Sequence, residues 1–195
     1  MMKFVPILFV VSILSGCNEY IRYNVTETFS SDEGIRISNT KELMTGYLYK
    51  NDVQGNLYME AFLTDGHFDG VYNEYYENGN LKYVAHYKDN KQNGVTKTFD
   101  INGDLIAKGN FINDKRDGLF QIWWTKDYGG NLSEEFLYDN GVKKKWFSYK
   151  EDGSLYLEYT YQNGLTVKDI TYGKDGSILN EGKYQNGVLV DRVWH

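Results

Sequence analysis

Cysteine is nearly missing from this 195-residue sequence: Cys17 is the only one. A lone thiol excludes an internal disulfide and a structural zinc site built from cysteines. Proline is as scarce, with Pro6 alone, so beyond it no residue lacks the N–H that a strand ladder needs. Histidine occurs only at His67, His86 and His195, and no two of these stand at metal-ligand spacing. Positive charge is in deficit. Lys and Arg number 21 against 27 Asp and Glu, for a net charge of −6, and no basic block offsets it. Such a chain is a poor partner for nucleic acid and gains no electrostatic help from anionic lipid. Long apolar runs are absent too. Phe4 to Leu14, interrupted by Pro6 and Ser12, falls short of the roughly 20 residues that a spanning helix requires.

That run has instead the length of a signal-peptide core, about 7–15 residues. Lys3 precedes it, and Ser15 and Gly16 lead into Cys17. Leu14-Ser15-Gly16-Cys17 resembles the lipobox of bacterial lipoproteins. The resemblance implies that residues 1–16 are removed as a signal peptide, that a diacylglyceryl group is placed on the Cys17 sulfur, and that the new amine is acylated. Two or more acyl chains hold a protein at a membrane stably. Asn18 rather than Asp follows the cysteine, which by the same resemblance favours the outer membrane over the inner in a double-membraned cell. The expected location is the cell envelope, with lipid on Cys17 as the link to the membrane.

What the sequence has in abundance is aromatic residues and glycine: 18 Tyr, 10 Phe, 4 Trp and 20 Gly. Aromatics favour strands, and glycine after Asn or Asp favours tight turns with positive φ. Asn-Gly begins at Asn78, Asn93, Asn102, Asn140, Asn163 and Asn186, and Asp-Gly at Asp65, Asp69, Asp117, Asp152 and Asp175. Each is read as a turn. Turns this frequent leave little room for helices, so the expected fold is all-β.

A repeat organises these turns. Gly-x-apolar steps fall at Gly55-Asn56-Leu57, Gly79-Asn80-Leu81, Gly103-Asp104-Leu105, Gly130-Asn131-Leu132, Gly153-Ser154-Leu155 and Gly176-Ser177-Ile178. Six residues after each apolar position stand Leu63, Tyr87, Phe111, Tyr138, Tyr161 and Tyr184. Gly46, Gly70, Gly94 and Gly118 precede the first four steps. A period of two dozen residues is the signature of stacked units. Each unit reads as one hairpin closed by a three-residue loop with left-handed glycine. That register sets Tyr75 opposite Leu81, Phe99 opposite Leu105, Tyr149 opposite Leu155, and Tyr172 opposite Ile178. Aromatic–aliphatic pairs of this kind contribute about 0.2–1 kcal/mol each over Ala–Ala. The expected architecture is one elongated, twisted antiparallel meander of six MORN-like units over 46–195. Residues 17–45 are expected to form a lipidated tether and capping segment. Val193 and Trp194 are expected to close the far end, and the insertion at Trp124–Gly130 to protrude.

Tyr87-Lys-Asp-Asn-Lys-Gln-Asn-Gly94, Phe111-Ile-Asn-Asp-Lys-Arg-Asp-Gly118 and Tyr75-Tyr-Glu-Asn-Gly-Asn-Leu81 resemble the variant MORN repeat, and more narrowly the bacterial YwqK family, whose members are labelled antitoxins. The likeness covers about residues 46–190. It departs at Lys144 and Val167, where glycine is expected, and at Asn51, where an aromatic is expected. The resemblance implies a binding scaffold and no reaction.

No catalytic residue, metal ligand or cofactor site stands out, and the chain is read as a non-enzyme. Most Asp residues lie in turns, where the side chain bonds its own backbone. Asp100 to Asp104 is similar to the start of a calcium loop, but Phe111 occupies the position of its distal glutamate. Tyr75, Phe99, Trp123, Tyr149 and Tyr172 fit a hairpin core. Tyr72, Tyr76, Phe120 and Trp124 point to the opposite side in this register. With Trp146 they are the candidate partner-binding aromatics, because Tyr and Trp dominate interface hot spots. The primary expectation is a lipid-anchored envelope scaffold that binds a protein. The alternatives are an antitoxin or immunity protein whose partner is a toxin, and a glycan- or peptidoglycan-binding module.

Overall fold

A computed structural model describes residues 20–195. The signal peptide expected at 1–16 and Cys17 lie outside the described residues. The strands are β1 (Arg22–Asn24), β2 (Thr28–Ser31), β3 (Gly34–Ile37), β4 (Gly46–Asn51), β5 (Leu57–Thr64), β6 (His67–Tyr75), β7 (Leu81–Lys88), β8 (Lys91–Gln92) and β9 (Gly94–Phe99). They continue with β10 (Leu105–Ile112), β11 (Lys115–Arg116), β12 (Gly118–Trp123), β13 (Leu132–Asp139), β14 (Val142–Tyr149), β15 (Leu155–Gln162), β16 (Leu165–Tyr172), β17 (Ile178–Gln185) and β18 (Val188–Trp194). All but β2 and β3 join one 16-stranded sheet that follows chain order from β4 to β18. The exception to its antiparallel pattern is β1, which lies parallel to β4 at the first edge. The expected all-β meander is therefore present.

Two kinds of corner alternate, and they form the two rims of the sheet. On one rim the loops carry left-handed Gly55, Gly79, Gly103, Gly153 and Gly176, with φ from 82° to 94°. Here the Tyr76 N–H donates to the Asn80 carbonyl at 2.8 Å, and the Gly79 N–H to the Tyr76 carbonyl at 2.9 Å. The pairs Tyr75–Leu81, Phe99–Leu105, Tyr149–Leu155 and Tyr172–Ile178 are as the register required. The turn aspartates bond their own loops: Asp52 accepts the N–H groups of Gln54 and Asn56, and Asp100 those of Asn102 and Asp104.

The other rim is made of two-residue turns in which both residues have positive φ: Asp65-Gly66, Asp89-Asn90, Asn113-Asp114, Asn140-Gly141, Asn163-Gly164 and Asn186-Gly187. That is the type I′ geometry, whose twist matches a hairpin. The turns expected at Asp69-Gly70, Asn93-Gly94 and Asp117-Gly118 are not corners. These glycines open strands or sit in bulges just past the corner, with φ of 146°, 120° and 73°. Lys144 and Val167 hold the extra residue at the matching bulges of β14 and β16. Neither has positive φ, which is why the later units dispense with glycine there.

At two of these corners a side chain explains an unusual choice. Asn90 and Asp114 occupy the second turn position at φ 64° and 66°, where glycine would be free of strain. Asn90 Oδ1 accepts the Phe68 N–H of the preceding hairpin at 2.8 Å, and Asp114 Oδ1 accepts that of Gln92 at 2.7 Å. The side chains thus join successive units at the rim.

The cap lies at the first edge. The β2–β3 hairpin folds onto the first corner, where the Ile35 N–H reaches the Gly66 carbonyl at 2.9 Å and the Gly66 N–H reaches that of Met44 at 2.7 Å. A Cβ on Gly66 would stand 2.9 Å from Ile35 backbone atoms, so only glycine admits this approach. Beneath it Met44, Leu48, Ala61 and Leu63 form the buried core, flanked by Val25, Ile35, Ile37, Phe68 and Tyr72. Residues from Tyr20 onward belong to this folded end, since Tyr20 packs on Phe62 at 4.7 Å and the Tyr47 N–H binds the Ile21 carbonyl.

The far end differs from expectation. Val193 and Trp194 do not close it: β18 is an ordinary ladder strand, and Trp194 is 73% exposed. The insertion is exposed from Lys126 to Asn131. A short 3-10 turn over Lys126–Tyr128 brings Lys126 Nζ within 2.5 Å of Asp104 in the neighbouring hairpin.

Candidate functional site

Beyond the cap the sheet is a single layer, so each face is a candidate surface. Residues directly opposite across strands share a face, and alternate residues along a strand do so too. On one face an unbroken row crosses the strands: Phe120, Phe136, Trp146, Tyr159, Asp169, Gly182 and Arg192. The last three rings stack on one another, and Phe120 sits at steep angles to Phe111 and Tyr138. Phe136 and Trp146 are 9° from parallel at 6.3 Å, and Trp146 and Tyr159 are 23° apart at 5.2 Å. A second row, nearer the two-residue turns, holds Phe111, Arg116, Tyr138, Lys143 and Tyr161. The Arg116 guanidinium lies 5.2 Å from the Phe120 ring centre and 5.5 Å from that of Tyr138, and donates to the Tyr138 hydroxyl. Lys143 Nζ lies 4.3 Å from the Tyr161 ring centre.

A trough of about 250 Å³ notches this face between Tyr83 and Phe120, over Thr96, Thr98, Ala107 and Gly109. Small residues make it. A Cβ on Gly109 would fall 2.2 Å from the Phe120 ring, so glycine lets that ring lie over the strand. Gln92 Nε2 bonds both Thr96 and Tyr83 and fixes the floor. The row ends on buried polar groups. Asp169, 2% exposed, accepts from Arg192 at 2.8 Å, and Arg192 also binds Asn180.

The opposite face alternates carboxylate and apolar residues: Glu135, Phe147, Glu158, Ile170, Glu181 and Val193. Its carboxylates are occupied. Tyr149 donates to Glu135 at 2.6 Å, Tyr172 to Glu158 at 3.0 Å and Tyr75 to Glu60 at 2.9 Å, while Lys145 and Lys168 pair with Glu158 and Glu181. Burial, and then the bond to the carboxylate, raise these phenols above their ordinary value, Tyr172 to about 12 and Tyr149 further. Lys168 beside Glu181 lowers that carboxyl.

The candidate aromatics divide. Phe120 and Trp146 lie in the cross-strand row, joined by Phe136 between them, and Trp146 stacks on Phe136. Tyr72 shares the face but stands apart, half-buried against the capped core and bonded to Glu74. Tyr76 sits at the rim and donates its hydroxyl to the Phe99 carbonyl, and Trp124 sits at the insertion against Tyr128. The expectation that Tyr72 opposes the apolar face of β7 is overturned. One residue past each loop the return strand bulges: Tyr75 faces Leu81, but Glu74 faces Tyr83, with Lys82 extra. The bulge puts Tyr83, Ala85 and Tyr87 on the face of Tyr72. Tyr75, Tyr149 and Tyr172 consequently line the carboxylate face and not a hydrophobic core. Phe136, Tyr159, Arg116 and Lys143 were not singled out from sequence, because their row depends on pairing between hairpins.

Among the described residues no three His, Cys, Asp or Glu gather as a metal site, and no helix is long and apolar enough to cross a membrane. His67 and His86 bond backbone carbonyls through Nδ1.

Residues 68–89 match the MORN repeat variant. That segment runs from β6 through β7 to the Asp89-Asn90 corner, one hairpin with its rim turn, so the match is to one repeat unit of the sheet. No curated protein matches the chain. Similar solved structures include a TarM mutant from S. aureus in complex with fondaparinux, α-GlcNAc-glycerol and UDP, at 14% identity and TM-score 0.24, covering 58% of this chain and 19% of that one. A GtfA/B complex bound to UDP and GlcNAc matches at 13% identity and TM-score 0.23, covering 55% and 21%. A protein of unknown function from Bacteroides fragilis matches at 9% and 0.18, covering 77% and 93%. The chain spans about a fifth of the first two, and likenesses this low carry no argument.

Proposed function

We propose that this protein is a lipid-anchored scaffold of the cell envelope that binds a protein partner along one face of its repeat sheet. The observation that carries the reading is the partly exposed aromatic row from Phe120 to Tyr159, stacked from Phe136 onward, on a sheet with no second layer over it there. Half-buried aromatic rows offer rigid apolar area at low entropic cost, which suits an interface. Anchoring rests on Cys17 and the lipobox resemblance.

Two experiments test the reading. Growth with labelled palmitate should mark the wild type, and Cys17→Ala should lose the label and leave the membrane fraction. Cross-linking in intact cells should trap a partner with the wild type. Trp146→Asp, kept folded as judged by circular dichroism, should lose it, whereas Tyr76→Ala at the rim should lose less. A partner captured equally by the Trp146 variant would remove the aromatic row from the account.

A further inference from the structure

The stacked row and the two cations beside it say what kind of segment the face accepts. Phe136, Trp146 and Tyr159, stacked across neighbouring strands, spend their faces on one another and turn their edges outward, while Phe120 meets Phe111 and Tyr138 at steep angles. Sugar recognition by stacking needs ring faces. Ring edges carry the positive part of the aromatic quadrupole and favour anions. Arg116 and Lys143 add full charges in the adjoining row, and neither forms an ion pair with a carboxylate among the described residues. The carboxylates of the opposite face are occupied by Tyr, Lys and Gln. On the cationic face Asp169 is buried under Arg192, and Glu134 stands four residues from Tyr138 along β13, roughly 13 Å away. The other carboxylates near this strip are engaged as well: Asp114 accepts the Gln92 N–H, Asp117 the Asn140 N–H, Asp139 pairs with Lys144, and Glu74 accepts from Tyr72, so Arg116 and Lys143 are left without an ionic partner among the described residues.

We propose that the strip formed by Phe120, Phe136, Trp146 and Tyr159, with Arg116 and Lys143, docks an acidic extended peptide segment of a protein partner. This inference rests on the scaffold reading and sharpens it. Arg116 ends β11, which leads into β12 on one side of the strand of Tyr138, and Lys143 lies on β14 at its other side, which sets the two about 10 Å apart at two inter-strand spacings. In the extended polyproline II conformation, with three residues per turn, every third side chain points the same way and recurs about every 9 Å. Carboxylates at every third position would meet both charges, with apolar side chains between them against the ring edges and in the trough over Gly109.

The test uses the full chain in detergent and three labelled peptides, (Glu-Leu-Ser)4, (Gln-Leu-Ser)4 and (Lys-Leu-Ser)4, followed by fluorescence polarisation. The Glu peptide should bind about tenfold more tightly than the Gln peptide, and the advantage should shrink with salt. Arg116→Gln with Lys143→Gln should abolish the preference, and Lys174→Gln at a hairpin tip should keep it. Arg116→Glu with Lys143→Glu should transfer the preference to the Lys peptide. Both sites are on the surface, and circular dichroism reports whether each variant keeps the fold. Equal binding of the Glu and Gln peptides, or a preference that survives the double Gln change, overturns the proposal. So does stronger, Arg116- and Lys143-dependent binding to polygalacturonate or phosphatidylglycerol vesicles. A cross-linked protein partner retained by the double Gln variant overturns this docking strip and leaves the scaffold reading standing. Failure to trap any partner, together with no peptide binding, removes both.

Discussion

Leu63 and Tyr184 occupy the same place in the first and last units, yet Leu63 is fully buried beneath the cap and Tyr184 is only partly buried. Around Leu63 the β2–β3 hairpin supplies a second layer, and apolar burial holds that end together. From β7 onward only Ala85 and Ile170 among apolar residues are buried. There the sheet relies on ladder hydrogen bonds, stacked rings and paired polar side chains, each shared only with a neighbouring unit. The comparison teaches that the same repeat can be stabilised by a core or by its neighbours. The second arrangement leaves a face free for a partner.

The sharpest way to break this contrast is Leu63→Ala, which should cost about 3 kcal/mol because the cap cannot collapse into the void. Tyr184→Ala should cost clearly less in the same urea titration, and equal losses would erase the distinction between the ends. Next comes Asp169→Ala, which strands Arg192 in a partly buried site. A loss of about 2 kcal/mol is expected, discounted because Arg192 retains some solvent contact. Adding Arg192→Met should recover part of it in a double-mutant cycle.

A smaller effect sharpens the role of the rim. Asn90→Gly keeps the positive φ but deletes the acceptor for the Phe68 N–H, and should cost about 0.5–1 kcal/mol. Asn163→Gly, at a corner without such a bond, should change little. Hydrogen exchange at Phe68 should accelerate only in the first variant. The smallest effect is in alkaline titration. Tyr172, held at about 12, and Tyr149 should ionise after the bulk of the tyrosines. A phenol whose pKa is raised on folding stabilises the fold fully below its unfolded value, about 10. That stabilisation is lost as pH climbs through the folded value. Tyr172→Phe should remove one late-titrating phenol from the absorbance change near 295 nm. An unchanged late class would sink the Tyr172–Glu158 assignment.

Much of the fold was legible because it is local. Asn78-Gly79 and its counterparts fix left-handed corners whatever surrounds them, and the pairs Tyr75–Leu81 and Phe99–Leu105 follow from loop length alone. The faces were not legible, because the extra residue at Lys82 and its equivalents reverses the alternation just past each loop. Asp69-Gly70 and Asp117-Gly118 look like corners in sequence. They are bulges, because Asp65-Gly66 and Asn113-Asp114 have already turned the chain. Of the candidate site, Phe120 and Trp146 could be named singly from their residue types. Phe136, Arg116 and Lys143 could not, since they join them only through pairing between successive hairpins.

A run of hairpins was set locally, since glycine, asparagine and aspartate at fixed spacing dictate positive φ and strand reversal within a few residues. Long-range pairing settled which side chains share a face, which end is capped and where unpaired positive charge lies over aromatic rings. Those depend on bulges and cross-hairpin register, which are settled by packing between segments distant in the chain.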